Sequence, residues 1–377
     1  MSNRVFKLQD FAEVVSTSVK PEDASNYERF VGLEHYDAGE PVITRYTDTS
    51  LLVSAVKEFK ENDILIARRN VYLKRAGIVF FSGVTSGDSI ILRIPDTCID
   101  KTGIAKELAV KIIPFVLNSE HFWAYANKHA DGMNSKRISK DTLLEYEFEL
   151  SSNELEEAKS EKLWAAYRLK ESYKRLLAAT DEMVKSQFIE MTSKCQSSVK
   201  LSSIATYSIG LTYAPEDVNS DGIIVLRSGN IQDGSITLED IVRVNKPIKD
   251  SLYVKKGNIL MCSRNGSASL VGKTAIVGDY PERMTFGAFM TLIKTDIPEY
   301  INAFFSTPSF RNQVSMGKSS TMNQITQKML DSIELPLVSV SEQEQFAEIV
   351  RQADKSKFEL KRAIEAIDKV IKSLING

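Results

Sequence analysis

Residues 264–274 read RNGSASLVGKT, follow the apolar run 258–262 and close on Gly-Lys-Thr. At the end of a strand these residue types suit a phosphate-binding loop, in which backbone N–H groups curl round a phosphate and the lysine meets its outer oxygens. The spacing argues against it: Ser267 to Val271 put five residues between the glycines where the motif has four. Other reaction chemistry finds little support. Cys98, Cys195 and Cys262 lie far apart without CxxC spacing, and His35, His121 and His129 are equally scattered. That excludes a disulfide framework or zinc knuckle as an organising principle and leaves buried thiols and packing or surface histidines.

The chain has 377 residues, 43% apolar and 26% charged, which suits two or three compact soluble domains. No apolar run approaches the ~20 residues that span a bilayer. The opening MSNRVFKLQD has no hydrophobic signal region, so the expectation is a cytoplasmic protein without a membrane partner. Lys and Arg number 48 against 50 Asp and Glu, and only residues 191–340 are net basic, 15 against 13. A surface for nucleic acid would have to be a local patch.

The elements that position such residues repeat. ISKDTLLEYEFEL (138–150) matches ITQKMLDSIELPL (325–337) at an offset of 187, and NDILIARRNVYLKRAG (62–77) matches GNILMCSRNGSASLVG (257–272) at an offset of 195. The second match pairs Arg69-Asn70 with Arg264-Asn265 and Gly77 with Gly272. Where the second copy has its Gly-Lys-Thr, the first reads AGIVF. A duplicated strand-loop-strand hairpin explains these glycines better than a nucleotide site.

Each half is thus a globular region followed by a charged periodic tail: residues 1–150 and 151–190, then 191–340 and 341–377. The globular parts mix short strands with helical stretches such as EYINAFFSTPSFRNQV, which predicts an α/β or α+β fold. In the last tail Phe346, Ile349, Ala353, Ser356, Leu360, Ala363, Ile367, Val370 and Leu374 form a heptad seam, with Ser341 and Glu344 spaced as a capping box. Carried back 187 residues, the seam falls on Ala166, Leu169, Tyr173, Leu176, Thr180, Met183 and Gln187, in the same phase but weaker. Two helices of ~35 residues would each run ~50 Å and could pair along that length.

The sequence resembles the specificity subunit of Type I restriction-modification systems. The resemblance is carried by FVGLEHYDAGE, NDILIARRNVYLKRAGIVFFSGVTSGDS, GIIVLRSGNIQDGSI, GNILMCSRNGSASLVGKTAIV and MNQIT…IELPLVSVSEQEQFAEIV. It implies two similar target recognition domains, each binding one half of a split, asymmetric site in double-stranded DNA, in a pseudo-twofold internal repeat. Two long antiparallel helices would join them, set the half-site spacing and dock two modification (methyltransferase) subunits. It implies a chain that is not an enzyme and holds no cofactor or metal. S-adenosylmethionine would belong to the modification subunit, ATP and Mg²⁺ to the restriction subunit. LEYEFELSSNELEEAKSEK departs from the second copy's pattern and leaves the start of the first helix open.

Given that resemblance, side chains that read B-DNA are expected in the repeated loops: Arg for guanine, Asn or Gln for adenine, cations for phosphates. The first half supplies Arg68, Arg69, Asn70, Tyr72, Lys74 and Arg75. The second supplies Arg264, Asn265, Ser267 and Lys273, with Arg227, Asn230 and Gln232 from LRSGNIQDG. Asn230 and Asn265 are equally suited to setting turns. Lys318, Ser319 and Ser320 in MGKSSTMN and Lys128 in ANKHADGMN suit phosphates or a partner's surface. The competing readings are a P-loop-like NTPase, a self-contained methyltransferase and a helical scaffold that never reads DNA sequence. The methyltransferase would need a glycine-rich cofactor loop and an Asn-Pro-Pro-aromatic motif.

Overall fold

The structure is a computed structural model that describes residues 3–50, 52–133, 135–316 and 323–376. The chain divides into two compact units, Met1–Lys174 with Arg362–Gly377, and Arg175–Lys361. The first is built from β1 (Arg4–Lys7), β2 (Glu13–Val15), β3 (Thr17–Val19), β4 (Phe30–Val31), β5 (Val56–Phe59), β6 (Ile64–Ala67), β7 (Ala76–Ile78), β8 (Gly83–Thr85), β9 (Ser89–Arg93) and β10 (Glu147–Leu150). Its central sheet has the order β2-β9-β6-β7, all antiparallel. A second sheet runs β3-β5-β8-β4, with β4 parallel to β8, and β1 pairs β10.

Strand β6 is wholly buried, which is why it reads as an unbroken apolar run. Its two faces serve different cores. Ile64 and Ile66 join Phe11, Ile113 and Phe122, while Leu65 and Ala67 join Val31, Phe59 and Val79.

The second unit comprises β11 (Ser198–Lys200), β12 (Thr206–Ile209), β13 (Val218–Leu226), β14 (Ile231–Gln232), β15 (Ser235–Ile236), β16 (Val242–Val244), β17 (Ile259–Cys262), β18 (Thr274–Ile276), β19 (Met284–Phe286), β20 (Met290–Lys294) and β21 (Glu334–Pro336). Its central sheet, β12-β20-β17-β18, has the same order and antiparallel sense as that of the first unit. β13 lies parallel to β19, as β4 does to β8, and β11 pairs β21 as β1 pairs β10. The core divides alike: Ile259 and Met261 meet Tyr300, Phe304 and Phe346, whereas Leu260 and Cys262 meet Ile224, Leu226 and Phe286. The predicted helical stretch is two helices, Pro298–Phe305 and Pro308–Met316, separated where Pro308 disfavours a helical residue before it. The fold class is α+β, with the same sheet order and strand sense in both units.

The loop between β17 and β18 settles the opening motif. A single 3₁₀ turn, Ala268–Leu270, is followed by Gly272 at φ 83° and then by an antiparallel strand rather than a helix. A phosphate cradle needs a helix N-terminus at that place. Pairing also corrects the alignment. Ile64 lies opposite Ile78 and Ile259 opposite Ile276, so Gly77 corresponds to Ala275, and the second hairpin loop is three residues longer.

The two tails are helices Asn153–Thr192 and Val340–Asn376. They run antiparallel within each unit. In the first, Lys170 Nζ meets Asp368 Oδ1 at 2.6 Å, and Lys159, Ser160 and Leu163 line a cavity with Ile375 and Asn376. In the second, Lys357 Nζ meets Asp181 Oδ1 at 2.9 Å, and the Phe188 and Phe346 rings pack edge to face at 5.6 Å.

The expected seam is half right. Phe346 and Ala353 are buried and Leu360, Ile367 and Leu374 half-buried, but Val350, Lys357 and Ile371 are more buried than Ile349, Ser356 and Val370, while Ala363 and Ile364 are half-buried alike. In the first helix the seam lies one residue later than expected, on Leu163, Tyr167, Lys170, Lys174, Leu177, Val184 and Phe188. Ala166 and Tyr173 are half-buried, and Leu169, Leu176 and Met183 are exposed. Adjacent apolar pairs fit either phase, and lysines with buried stems and paired ammonium groups decide between them. The capping box also moves: Ser339 Oγ donates to Glu342 Oε2 at 2.7 Å, in place of Ser341 and Glu344.

Candidate nucleic-acid interface

At one end of each central sheet, three segments are tied together by the same backbone bonds. In the first unit Arg68 N donates to Asp88 O, Ile138 N to Arg68 O and Asn70 N to Lys136 O, at 3.0, 3.0 and 2.7 Å. In the second, Ser263 N donates to Phe289 O, Ile325 N to Ser263 O and Asn265 N to Asn323 O, at 3.0, 2.8 and 3.4 Å. Antiparallel bridges Arg69 to Arg137 and Arg264 to Gln324 complete the correspondence. The two sequence matches, at different offsets, therefore meet at one junction in each unit. That junction presents the repeated arginines.

A fourth segment also repeats, unrecognised in the sequence. His35 Nδ1 accepts from Gly32 N at 2.9 Å, and Asn230 Oδ1 accepts from Arg227 N at 2.9 Å. Each residue closes a 3₁₀ turn after the strand that pairs in parallel. Imidazole and carboxamide are unlike in any alignment score, yet both offer one acceptor at the same reach.

In the first unit, Arg69 Nε lies 3.4 Å from Asp88 Oδ2, and Tyr72 and Lys74 are exposed. Arg75 is a buttress: it donates to Leu33 O at 3.1 Å and Arg69 O at 3.2 Å. Asn70 adopts φ 55° and accepts from Ser135 Oγ at 3.3 Å. Left-handed φ suits Asn and sets the turn into Val71–Leu73. Arg68 is half-buried, and its Nε, like those of Arg69, Arg75 and Arg227, is buried without a hydrogen-bond partner among the described residues. Three of these four donors belong to the first unit's junction loop, where Arg69 Nε is ion-paired with Asp88 without a hydrogen bond.

In the second unit, Arg264 Nε and Nη2 both donate to Gln324 Oε1, at 3.1 and 2.7 Å, and its guanidinium lies 5.8 Å from the Phe289 ring centroid. Lys273 is half-exposed, and Ser267 is exposed with its Oγ bonded to Ser269 Oγ at 2.8 Å. Gln232 is exposed, with Nε2 bonded to Gly229 O at 3.2 Å. Arg227 is engaged with Asp240 at 3.3 Å.

Two expected residues are structural. Asn230 is 1% exposed and also donates to Thr237 O and Glu239 O, both at 3.1 Å. Asn265 spends its oxygen on Ser267 N at 2.9 Å and its amide on Ser228 Oγ at 3.1 Å. Burial and internal bonding leave Asn230 nothing for a ligand, and Asn265 is a loop clamp. Lys318, Ser319 and Ser320 lie outside the described residues. Lys128 is exposed on helix Glu120–His129 and makes none of the backbone bonds that build the junction.

Asp88, Arg137, Phe289 and Gln324 were missed by sequence reasoning. Their signal was the offset-187 match for Arg137 and Gln324; Asp88 and Phe289 had none. Among the described residues no group of three or more His, Cys, Asp or Glu is placed to hold a metal ion, and no helix is long and apolar enough to cross a membrane. Burial pushes the Cys98 and Cys262 thiols up, away from the reactive thiolate.

Residues 196–368 match the family model described as the Type I restriction modification DNA specificity domain. It is similar to the Type I restriction enzyme StySPI specificity subunit of Salmonella potsdam, 30% identical over 175 residues that cover 43% of this chain and 38% of the relative. It is similar also to the EcoKI specificity subunit of Escherichia coli K12, 26% identical over 190 residues, 47% of this chain and 41% of the relative. The matched stretch thus spans about two fifths of the length of these curated relatives. The fold is that of the crystallised Type I restriction-modification system S subunit from M. genitalium, at TM-score 0.52 and 14% identity over 100% of this chain and 95% of that one.

Proposed function

We propose that this chain is the DNA-specificity subunit of a Type I restriction-modification complex and has no reaction centre of its own. Residues 1–150 and 191–340 are its two target recognition domains, each binding one half of a bipartite, asymmetric site. The helices of 151–190 and 341–377 set the half-site spacing and dock two methyltransferase subunits. S-adenosylmethionine serves the modification subunit, and ATP with Mg²⁺ the restriction subunit, in the cytoplasm. The observation that carries the reading is the duplicated junction, with Arg69 and Arg264 presented by matching backbone bonds on loops of different length. A scaffold has no need of two matched cationic loops with different side chains around them.

Arg68, Arg69, Tyr72, Lys74, Arg227, Gln232, Arg264, Ser267 and Lys273 form the reading surfaces, with Lys318, Ser319 and Ser320 assigned to phosphates on sequence grounds. Replacing Arg69 or Arg264 by Ala should weaken one half-site each by about 1 to 3 kcal/mol. Footprinting of the reconstituted complex is the test. Unchanged protection of both half-sites in both variants refutes the assignment.

A further inference from the structure

We infer that Arg264 and Gln324 act as one donor-only reading unit, and that the half-site bound by the second unit carries a guanine where they face it. The inference rests on the DNA-specificity reading above.

The amide orientation of Gln324 is fixed by chemistry. Two guanidinium N–H groups, at 3.1 and 2.7 Å, require an acceptor, so Oε1 faces Arg264 and Nε2 faces away. The guanidinium spends its Nε–Nη2 edge on Gln324, and its Nη1 has no partner among the described residues. Phe289, 60% exposed, lies against the guanidinium as an aromatic neighbour. What remains to face a base is Nη1, Nη2 and the Gln324 amide, all donors.

In the major groove guanine presents two neighbouring acceptors, O6 and N7, whereas adenine pairs an acceptor with a donor. Glutamine reads adenine by using both ends of its amide, and here the accepting end is occupied. A neutral partner also leaves the charge of Arg264 uncompensated. In the first unit the equivalent places are filled differently: Asp88 stands for Phe289, and Arg137 for Gln324. The same backbone frame therefore carries different chemistry, as two heads reading different half-sites require.

The test is selection of random duplex DNA by the full chain, purified with the partners that accompany it from its own cells. The second unit's half-site is the one whose footprint Arg264→Ala weakens. Wild type should enrich a split motif with guanine in that half. Gln324→Glu holds Arg264 but removes the Nε2 donors, and Arg264→Lys keeps the charge but removes the fork. Each should cut selectivity for that guanine roughly tenfold. The other half-site should stay unchanged, which also shows that the variants fold. A half-site without guanine, or an undiminished guanine preference in both variants, overturns the inference and leaves the DNA reading standing. No enriched sequence with wild type overturns both.

Discussion

Lys170 Nζ, on the first long helix, lies 2.7 Å from Glu40 Oε1 in the loop after strand β4, with only about a tenth of the lysine side chain exposed. Asp368 and Lys174 join the pair, at 2.6 Å from Lys170 and 3.0 Å from Glu40. The network anchors the loop to the helix seam within the first unit. Burial alone would raise the Glu40 carboxyl, but hydrogen bonds and charge from Lys170 and Lys174 outweigh it and hold its pKa below the usual carboxylate value. A folded-state pKa that is depressed adds stability above the unfolded pKa and loses it as pH falls through the folded one.

Glu40→Gln should therefore destabilise the protein at neutral pH by about 3 kcal/mol, the low end for breaking a buried pair because Asp368 still faces Lys170. Urea unfolding at a series of pH values checks this. The gap between wild type and variant should close as pH drops below about 4.

Asn230→Ala should cost about 1 to 3 kcal/mol, because it strands the Arg227 amide and two carbonyls of a buried turn. Thermal unfolding reads the loss. A variant of unchanged stability with weakened DNA binding would return Asn230 to the reading surface.

The revised helix phase distinguishes neighbours. Ile371→Ala should cost about 2 to 4 kcal/mol, and Val370→Ala, at an exposed site, less than about 0.5. Ser339→Ala should cost about 1 kcal/mol as the helix cap, while Ser341→Ala should be close to neutral. Equal losses within either pair would restore the phase or cap first expected.

Lys74 and Lys273 carry no specific partner among the described residues and suit phosphates. Replacing either by Ala should weaken binding to all sequences alike and lower the slope of log affinity against log salt by about 1. Titrations of the complex between roughly 50 and roughly 200 mM salt measure it. A change confined to one sequence would mean base contact instead.

The residues alone disclosed a good deal here: two similar halves, apolar central strands, long charged helices, and arginines on matching loops. These are local and periodic properties, and a duplicated sequence repeats them wherever it folds. Other features were decided in three dimensions. Which of two adjacent apolar residues faces inward depended on lysines whose partners, Glu40, Asp368 and Asp181, are distant in sequence. That Asn230 supports a turn depended on carbonyls brought back by the β14–β15 hairpin. The company of Arg69 and Arg264 came from two further segments of chain, about 20 to 70 residues away, joined by backbone bonds that no side-chain pattern encodes.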